Sequence, residues 1–195
     1  MTAQPLIVGR TALIVVDIQQ GSFLPAEANG IPLMPGFSGR QRRAPGVPMV
    51  FLQEIHHRGM VDYGRELDGA EGLHCMEGEA GTPIAAKVVG LRPDDIVIPK
   101  RRYSGFFGTD LGIVRRGLRA ETLLPVGGLT DVRIDYTVAH ARQHDSVTRV
   151  IEDGVAGSGI AAHEASLNAM EYLQTRARRI SSEVIVAFAP ATAAQ

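Results

Sequence analysis

Residues 122–141 read TLLPVGGLTDVRIDYTVAHA: a run of strand character, two glycines, then a segment of helical period. The glycines allow a tight turn before a helix that starts near Thr130, and the amino terminus of that helix offers free N–H groups to an anion. Strand, glycine turn and helix in one run are the repeating unit of a parallel α/β sheet. Outward from it, apolar runs rich in β-branched residues recur at 12–16, 47–52, 96–98 and 147–151. Their near-continuous apolar character predicts strands buried on both faces. Helical period spans 131–144 and returns at 160–176, where Leu167, Met170 and Leu173 share a face. The alternation predicts a three-layer α/β/α architecture around a doubly wound, mostly parallel sheet, with the functional site at the carboxyl ends of its strands.

Two stretches interrupt the pattern. Residues 24–48 are dense in glycine and proline and leave room for at most a short helix near 37–43, so a long loop is expected there. Residues 58–83 carry no sustained period; a connection of that length is a binding loop or a plain surface loop.

The 195 residues make one domain's worth, read as a single domain over 1–195, and 20 basic against 21 acidic residues give a net charge of -1. No global field draws such a chain to nucleic acid or an anionic membrane. A small-molecule substrate or ligand is the expected partner. The first residues lack the pattern of a signal peptide and no apolar run approaches a membrane span, so a soluble, cytoplasmic protein is expected. With Cys75 the sole cysteine, no internal disulfide forms.

Chemistry-bearing residues gather at predicted strand ends. VVDIQQGSF places Asp17 directly after the first strand, where an aspartate either caps a turn or presents a carboxylate to a site. IPKRRYSGFFGT ends the third strand at Lys100, followed by Arg101, Arg102 and the aromatic residues Tyr103, Phe106 and Phe107. The glycine turn at 127–128 completes the set.

In that order, the acidic first-strand end, the K-x-x-Y-S-x-F-x-x-T run from Lys100 and the glycine turn followed by TDVRIDYT resemble the isochorismatase-like superfamily. FLQEIHH at 51–57, YGRELDGAEGLHC at 63–75 and EDGVAGSG at 152–159 add to the likeness, which is closest to the branch acting on ureides, biuret and N-carbamoyl compounds. The resemblance implies a Rossmann-like fold and a homodimer or homotetramer. It also implies roles: Asp17 as general base, Lys100 as the cation that tunes acid and nucleophile, and the backbone N–H groups of Leu129 and residue 133 as an oxyanion hole beside a cis peptide between Gly128 and Leu129. Cysteine-using members take their nucleophile from position 133.

Here that position is Arg133, and a guanidinium stays protonated and cannot attack a carbonyl. Three readings follow. The chain hydrolyses a small amide, ureide or enol ether with Asp17 and Lys100 but no thiol, as true isochorismatases do, with Arg133 gripping a substrate carboxylate. It is a pseudoenzyme that binds a ligand, consistent with Gly154 where relatives often have cysteine and with a shortened first helix near 40–45. Or it is a Cys-to-Arg variant of a cysteine amidohydrolase. Cys75, in a loop, is not an obvious replacement nucleophile. A cation at a helix amino terminus opposes the macrodipole, so Asp17 or an anionic ligand is expected to compensate Arg133.

The resemblance implies Phe23, Tyr103 and Phe107 as apolar walls of a substrate pocket, with Gln19 and one of Arg101 or Arg102 as polar contacts. No cofactor and no metal are expected. The nearest metal-like set, Glu54, His56 and His74, lacks the aspartate that metal-bearing nicotinamidases use, and His56 and His57 read as surface residues. His140, His144 and His163 fall on predicted helices and read as structural or exposed.

Overall fold

The computed structural model describes residues 5–23, 46–69 and 71–188. The expected short helix near 37–43 and most of the Gly/Pro-rich stretch lie outside those residues. The main sheet is formed by β1 (Arg10–Val16), β2 (Met49–Glu54), β3 (Ile96–Lys100), β4 (Ala120–Gly128) and β5 (Val147–Thr148) in the order β3-β2-β1-β4-β5, and β7 (Val155–Ala156) pairs with the end of β4. Every pairing in it is parallel. The chain winds one way from β1 to β3 and the other from β4 to β5, so the order reverses between β1 and β4. A crevice at the carboxyl ends of those two strands is where such a sheet binds ligands.

Alternation along the strands divides the core into two layers. Ala12, Ile14 and Val16 of β1 pack with Leu111 of α2 (Leu111–Leu118), Val138 and Ala141 of α3 (Asp135–Gln143) and Leu167 and Met170 of α4 (Ile160–Leu173). Val15, Phe51, Leu124 and Val126 point the other way, against Val89 of α1 (Ala86–Val89) and Val184 of α5 (Ser181–Phe188). This is the expected three-layer α/β/α arrangement. Among the described residues no helix is long and apolar enough to cross a membrane.

Two strand expectations need correction. β3 is an edge strand with Val97 40% exposed, so it is not buried on both faces. The stretch 147–151 is not one strand: β5 belongs to the main sheet, whereas β6 (Val150–Ile151) pairs with β8 (Arg178–Arg179) in a separate two-stranded sheet. The break falls at Arg149, whose buried guanidinium donates to the carbonyls of Pro5, Leu6 and Thr148.

Gly127 explains why the decisive stretch carries a glycine at the end of β4. Its φ is +116°, and a Cβ there would lie 2.0 Å from the Val16 carbonyl oxygen of the neighbouring strand. Only glycine fits that approach. A cis bond between Gly128 and Leu129 follows, as the resemblance implies, and then one π-helical turn, Thr130–Ile134, before α3 begins.

Candidate active site

Three adjacent strands each end in a charged residue. β1 gives way to Asp17, whose backbone is left-handed (φ 51°), a conformation aspartate tolerates better than most side chains. Its N–H donates to Leu52 O at 3.1 Å and its Oδ1 accepts from the Glu54 N–H at 3.1 Å, fixing the carboxylate against the end of β2. β2 ends in Glu54 and β3 in Lys100, which are register partners. The Lys100 ammonium lies 2.8 Å from Asp17 Oδ2 and 3.0 Å from Glu54 Oε2, and both Lys100 and Glu54 are 1% exposed.

Arg133 enters from the π-helical turn after β4, with its side chain turned into this group. Its Nε lies 3.0 Å from Glu54 Oε2 and 3.7 Å from Asp17 Oδ2. Its two terminal nitrogens grip Glu71 bidentately, at 2.8 Å and 3.1 Å. The Tyr103 ring centroid is 6.0 Å from the guanidinium carbon. Asp17 is therefore not the main compensator expected for Arg133. Glu54 and Glu71 take that part, and Asp17 stays with Lys100.

Four carboxylates, Asp17, Glu54, Glu66 and Glu71, share this region with two permanent cations, and depth and neighbours set the titration of Asp17, Glu54 and Glu66. Burial pushes Asp17 up to about 6 despite the pull of Lys100, with the Glu54 charge adding to the rise. Burial alone would raise Glu54 too, but His56, His74, Lys100 and Arg133 more than offset it and hold that carboxyl well below the usual range. Burial and the Glu54 charge raise Glu66. For Lys100 and Arg133 burial opposes the charge, yet the surrounding carboxylates leave both more firmly protonated than usual.

Glu54 has a second face. Its Oε1 lies 3.6 Å from His56 Nε2 and 3.5 Å from His74 Nε2, and His56 Nε2 lies 3.5 Å from Glu66 Oε2. These separations are too long for hydrogen bonds, and Glu54 Oε1, both His56 ring nitrogens and both Glu66 oxygens are buried without a hydrogen-bond partner. One ligand atom from each of Glu54, His56, Glu66 and His74 falls within 4.8 Å of all the others. Three of the six separations among these atoms are 3.5–3.6 Å, the edge of a tetrahedron with bonds of about 2.0–2.2 Å, the range of carboxylate and imidazole on zinc. The orienting contacts suit it as well: the Gly72 carbonyl lies 2.7 Å from His74 Nδ1, leaving Nε2 towards Glu54, and Asp62 Oδ1 stands 3.7 Å behind His56 Nδ1. The donor set fits a divalent cation. The reading of His56 as a surface residue is corrected, since it is fully buried and stacked on Tyr63 at 3.9 Å, whereas His57 is exposed. Of the two grounds for expecting no metal, the surface reading of His56 falls, while the absence of the aspartate used by metal-bearing nicotinamidases stands.

The remaining expected contacts divide. Tyr103 stands beside Arg133, with Tyr136 of α3 at 5.5 Å from it. Gln19 is no free substrate contact: its amide donates to Glu54 O (2.8 Å) and Thr82 O (2.6 Å) and accepts from Glu54 N–H (2.9 Å), tying the end of β2 in place. Arg101 pairs with Asp62 at 2.7 Å, and Arg102 donates to Asp62 O at 2.6 Å with its guanidinium over Gly64, so both are engaged by the 58–83 loop. Phe107 is 60% exposed among the described residues, while Phe106 is buried in the core. Phe23 closes a 3-10 turn, Gln20–Phe23, and its side chain lies outside what is described. Leu129 and Arg133 follow β4 around the cis bond. His140 and His144 stack on each other beside Phe106, and His163 meets Thr130 Oγ1.

Cys75 is half-buried, with its thiol pushed up to about 12 by burial and by the charges of Glu54 and Asp17. It therefore carries roughly a thousandfold less thiolate at neutral pH than an ordinary cysteine. Iodoacetamide at pH 7.5 is expected to leave it unmodified on the timescale that labels free cysteine, as mass spectrometry of the intact protein would show.

A doubly wound parallel sheet presenting an Asp–Lys pair at the carboxyl ends of β1 and β3, beside a glycine turn and a helix amino terminus, defines a three-layer α/β/α scaffold with a charged site at its switch point. Residues 11–183 match the isochorismatase domain, and the chain belongs to that family. It is 27% identical over 187 residues to the uncharacterized isochorismatase family protein YecD of Escherichia coli O157:H7, covering 88% of this chain and 92% of that one. It is 26% identical over 192 residues to the ureidoacrylate amidohydrolase RutB of Pseudomonas savastanoi, covering 82% and 77%. Among solved structures it is similar to the pyrazinamidase of Pyrococcus horikoshii in complex with zinc, with 27% identity, a TM-score of 0.73, and coverage of 88% of this chain and 98% of that one.

Proposed function

We propose that the chain is a hydrolase, without a cysteine nucleophile, of a small amide or ureide bearing a carboxylate, in which Asp17 carries the proton, water is the nucleophile and Arg133 holds the carboxylate. The observation that carries this is the division of partners: Arg133 is neutralised by Glu54 and Glu71, which leaves Asp17 on Lys100 at 2.8 Å and free to work. Relatives acting on ureidoacrylate, a ureide that itself carries a carboxylate, support the substrate class. Asp17, ionised above about pH 6, takes a proton from water as the water oxygen adds to the substrate carbonyl. It returns that proton to the nitrogen as the C–N bond breaks. Lys100 stabilises the charge that builds on the carbonyl oxygen, with the N–H groups of Leu129 and Arg133 as further donors. A divalent cation would be held by Glu54, His56, Glu66 and His74, and would supply a Lewis acid beside this pair if one of the four gave up its position to water or substrate.

A second reading, ligand binding without turnover, is favoured by the same guanidinium, which is 8% exposed and occupies the place of the nucleophile. One assay separates the two. Product is followed from ureidoacrylate, N-carbamoylglycine and nicotinamide, with and without iodoacetamide. The hydrolase reading expects release of ammonia from a carboxylate-bearing ureide, untouched by the alkylating agent. Binding of these compounds without product would move the conclusion to the second reading, and alkylation-sensitive turnover would point to Cys75.

A further inference from the structure

Arg133 divides its donors unequally between depth and surface. Its Nε faces Glu54, which is buried and also held by Lys100. Its two terminal nitrogens face outward, to a carboxylate whose side chain is 34% exposed on a segment without helix or strand. The contact has the two-pronged form in which a guanidinium takes any planar carboxylate, Nη1 to Oε1 at 2.8 Å and Nη2 to Oε2 at 3.1 Å. Tyr103 lies alongside, and His74 Nε2 stands 3.7 Å from Glu71 Oε2. The Glu71 end of the pair is 34% exposed, so its carboxylate can be returned to water when another carboxylate takes its place, which the buried Glu54 cannot. The buried half of the arginine, by contrast, is fixed.

From this asymmetry we propose that the outward fork of Arg133 is a carboxylate subsite occupied in the free protein by Glu71, which stands in for the carboxylate of a small anionic ligand and is displaced when one binds. The inference rests on the reading of Arg133 as the carboxylate anchor but not on turnover. Glu71 then sets a threshold of specificity. A ligand that brings its own carboxylate replaces what the arginine loses, whereas a neutral analogue must leave the fork unpaired or fit around Glu71. Glu71 also keeps the guanidinium neutralised when no ligand is present, which a cation this deeply buried requires.

The test is calorimetric titration of N-carbamoylglycine and of its neutral counterpart N-carbamoylglycinamide into the wild-type protein, Glu71→Gln, and Glu71→Gln combined with Arg133→Lys. Glutamine keeps the size of Glu71 and removes its charge. The expected result is roughly tenfold tighter binding of N-carbamoylglycine to Glu71→Gln, as for a fork free about a tenth of the time in the parent, with no matching gain for the amide. Arg133→Lys keeps a cation against Glu54 but not the two-pronged grip, and should remove most of the gain. Equal affinity of wild type and Glu71→Gln, a gain shared by the neutral amide, a gain that survives Arg133→Lys, or no binding to Glu71→Gln overturns the proposal. Tighter binding without product leaves the subsite standing and removes only the hydrolase reading.

Discussion

Arg133→Met is expected to lower the free energy of unfolding by about 3 kcal/mol, and Glu54→Gln in the same chain to return most of that loss. Methionine fills a comparable volume, so the effect is one of charge. Glu54 is 1% exposed and shares its Oε2 between Arg133 and Lys100, both at 3.0 Å. Removing one partner of a buried pair leaves a carboxylate in a poor solvent with half its compensation. The cost sits at the low end of the usual range because Lys100 remains. Glu71, which is partly exposed, loses little when its arginine goes. With glutamine at 54 the group keeps one clean ion pair, Asp17 with Lys100, and the deficit closes. Urea unfolding of the four proteins of this double-mutant cycle, all treated with a chelator so that no metal masks the charge, gives the coupling energy. A single-mutant loss below about 1 kcal/mol, or a double mutant no better than Arg133→Met, would show that the pairing does not hold the site together.

That cluster marks how far the sequence could be read. Asp17 and Lys100 were legible because each ends an apolar run, and in a parallel sheet wound both ways strand ends meet. The glycines at 127–128 are legible as a turn between a strand and a helix, whereas the reason Gly127 admits nothing larger, a would-be Cβ 2.0 Å from the Val16 carbonyl oxygen, shows only in the packed sheet. The same rule, a carboxylate closing an apolar run, also points to Glu54 in FLQE, which the metal-like set alone does not bring to the Asp17–Lys100 pair. Its burial follows from the sheet order, which places β2 between β3 and β1. Glu66 and Glu71 had no such signal. They lie between 58 and 83, where without a period no pattern says which side chains turn inward. His56 is hidden for a related reason: two residues past the end of β2 there is no alternation left to read, and its burial comes from long-range neighbours, Tyr63 stacked over the ring and His74 edge-on to it. Val97 shows the limit from the other side, because an apolar run reads alike in a central strand and an edge strand, and the winding of the chain decides which it is.

Asp17→Asn carries the largest expected effect on function, a fall in turnover of about 10²- to 10⁴-fold, the usual weight of a positioned proton carrier. Asparagine preserves the shape and can still accept from the Glu54 N–H through its amide oxygen, so the end of β2 is held and the fold should survive. What disappears is the proton site and the charge opposite Lys100. The ionisation of Asp17 also fixes the direction of the pH profile. Its carboxyl is pushed up to about 6 by burial, so below that pH it is protonated and cannot take a proton from water, and above it the carboxylate is available. Turnover of an amide or ureide should therefore rise with pH through about 6, and the residual rate of Asp17→Asn should lack that limb. The opposite slope, with turnover falling as Asp17 loses its proton, is the signature of a general acid protonating an enol ether. That outcome would keep Asp17 at the centre of the chemistry while replacing the bond it acts on. An Asp17→Asn protein that folds, binds a ureido acid and turns it over at the parent rate would remove Asp17 from the reaction altogether.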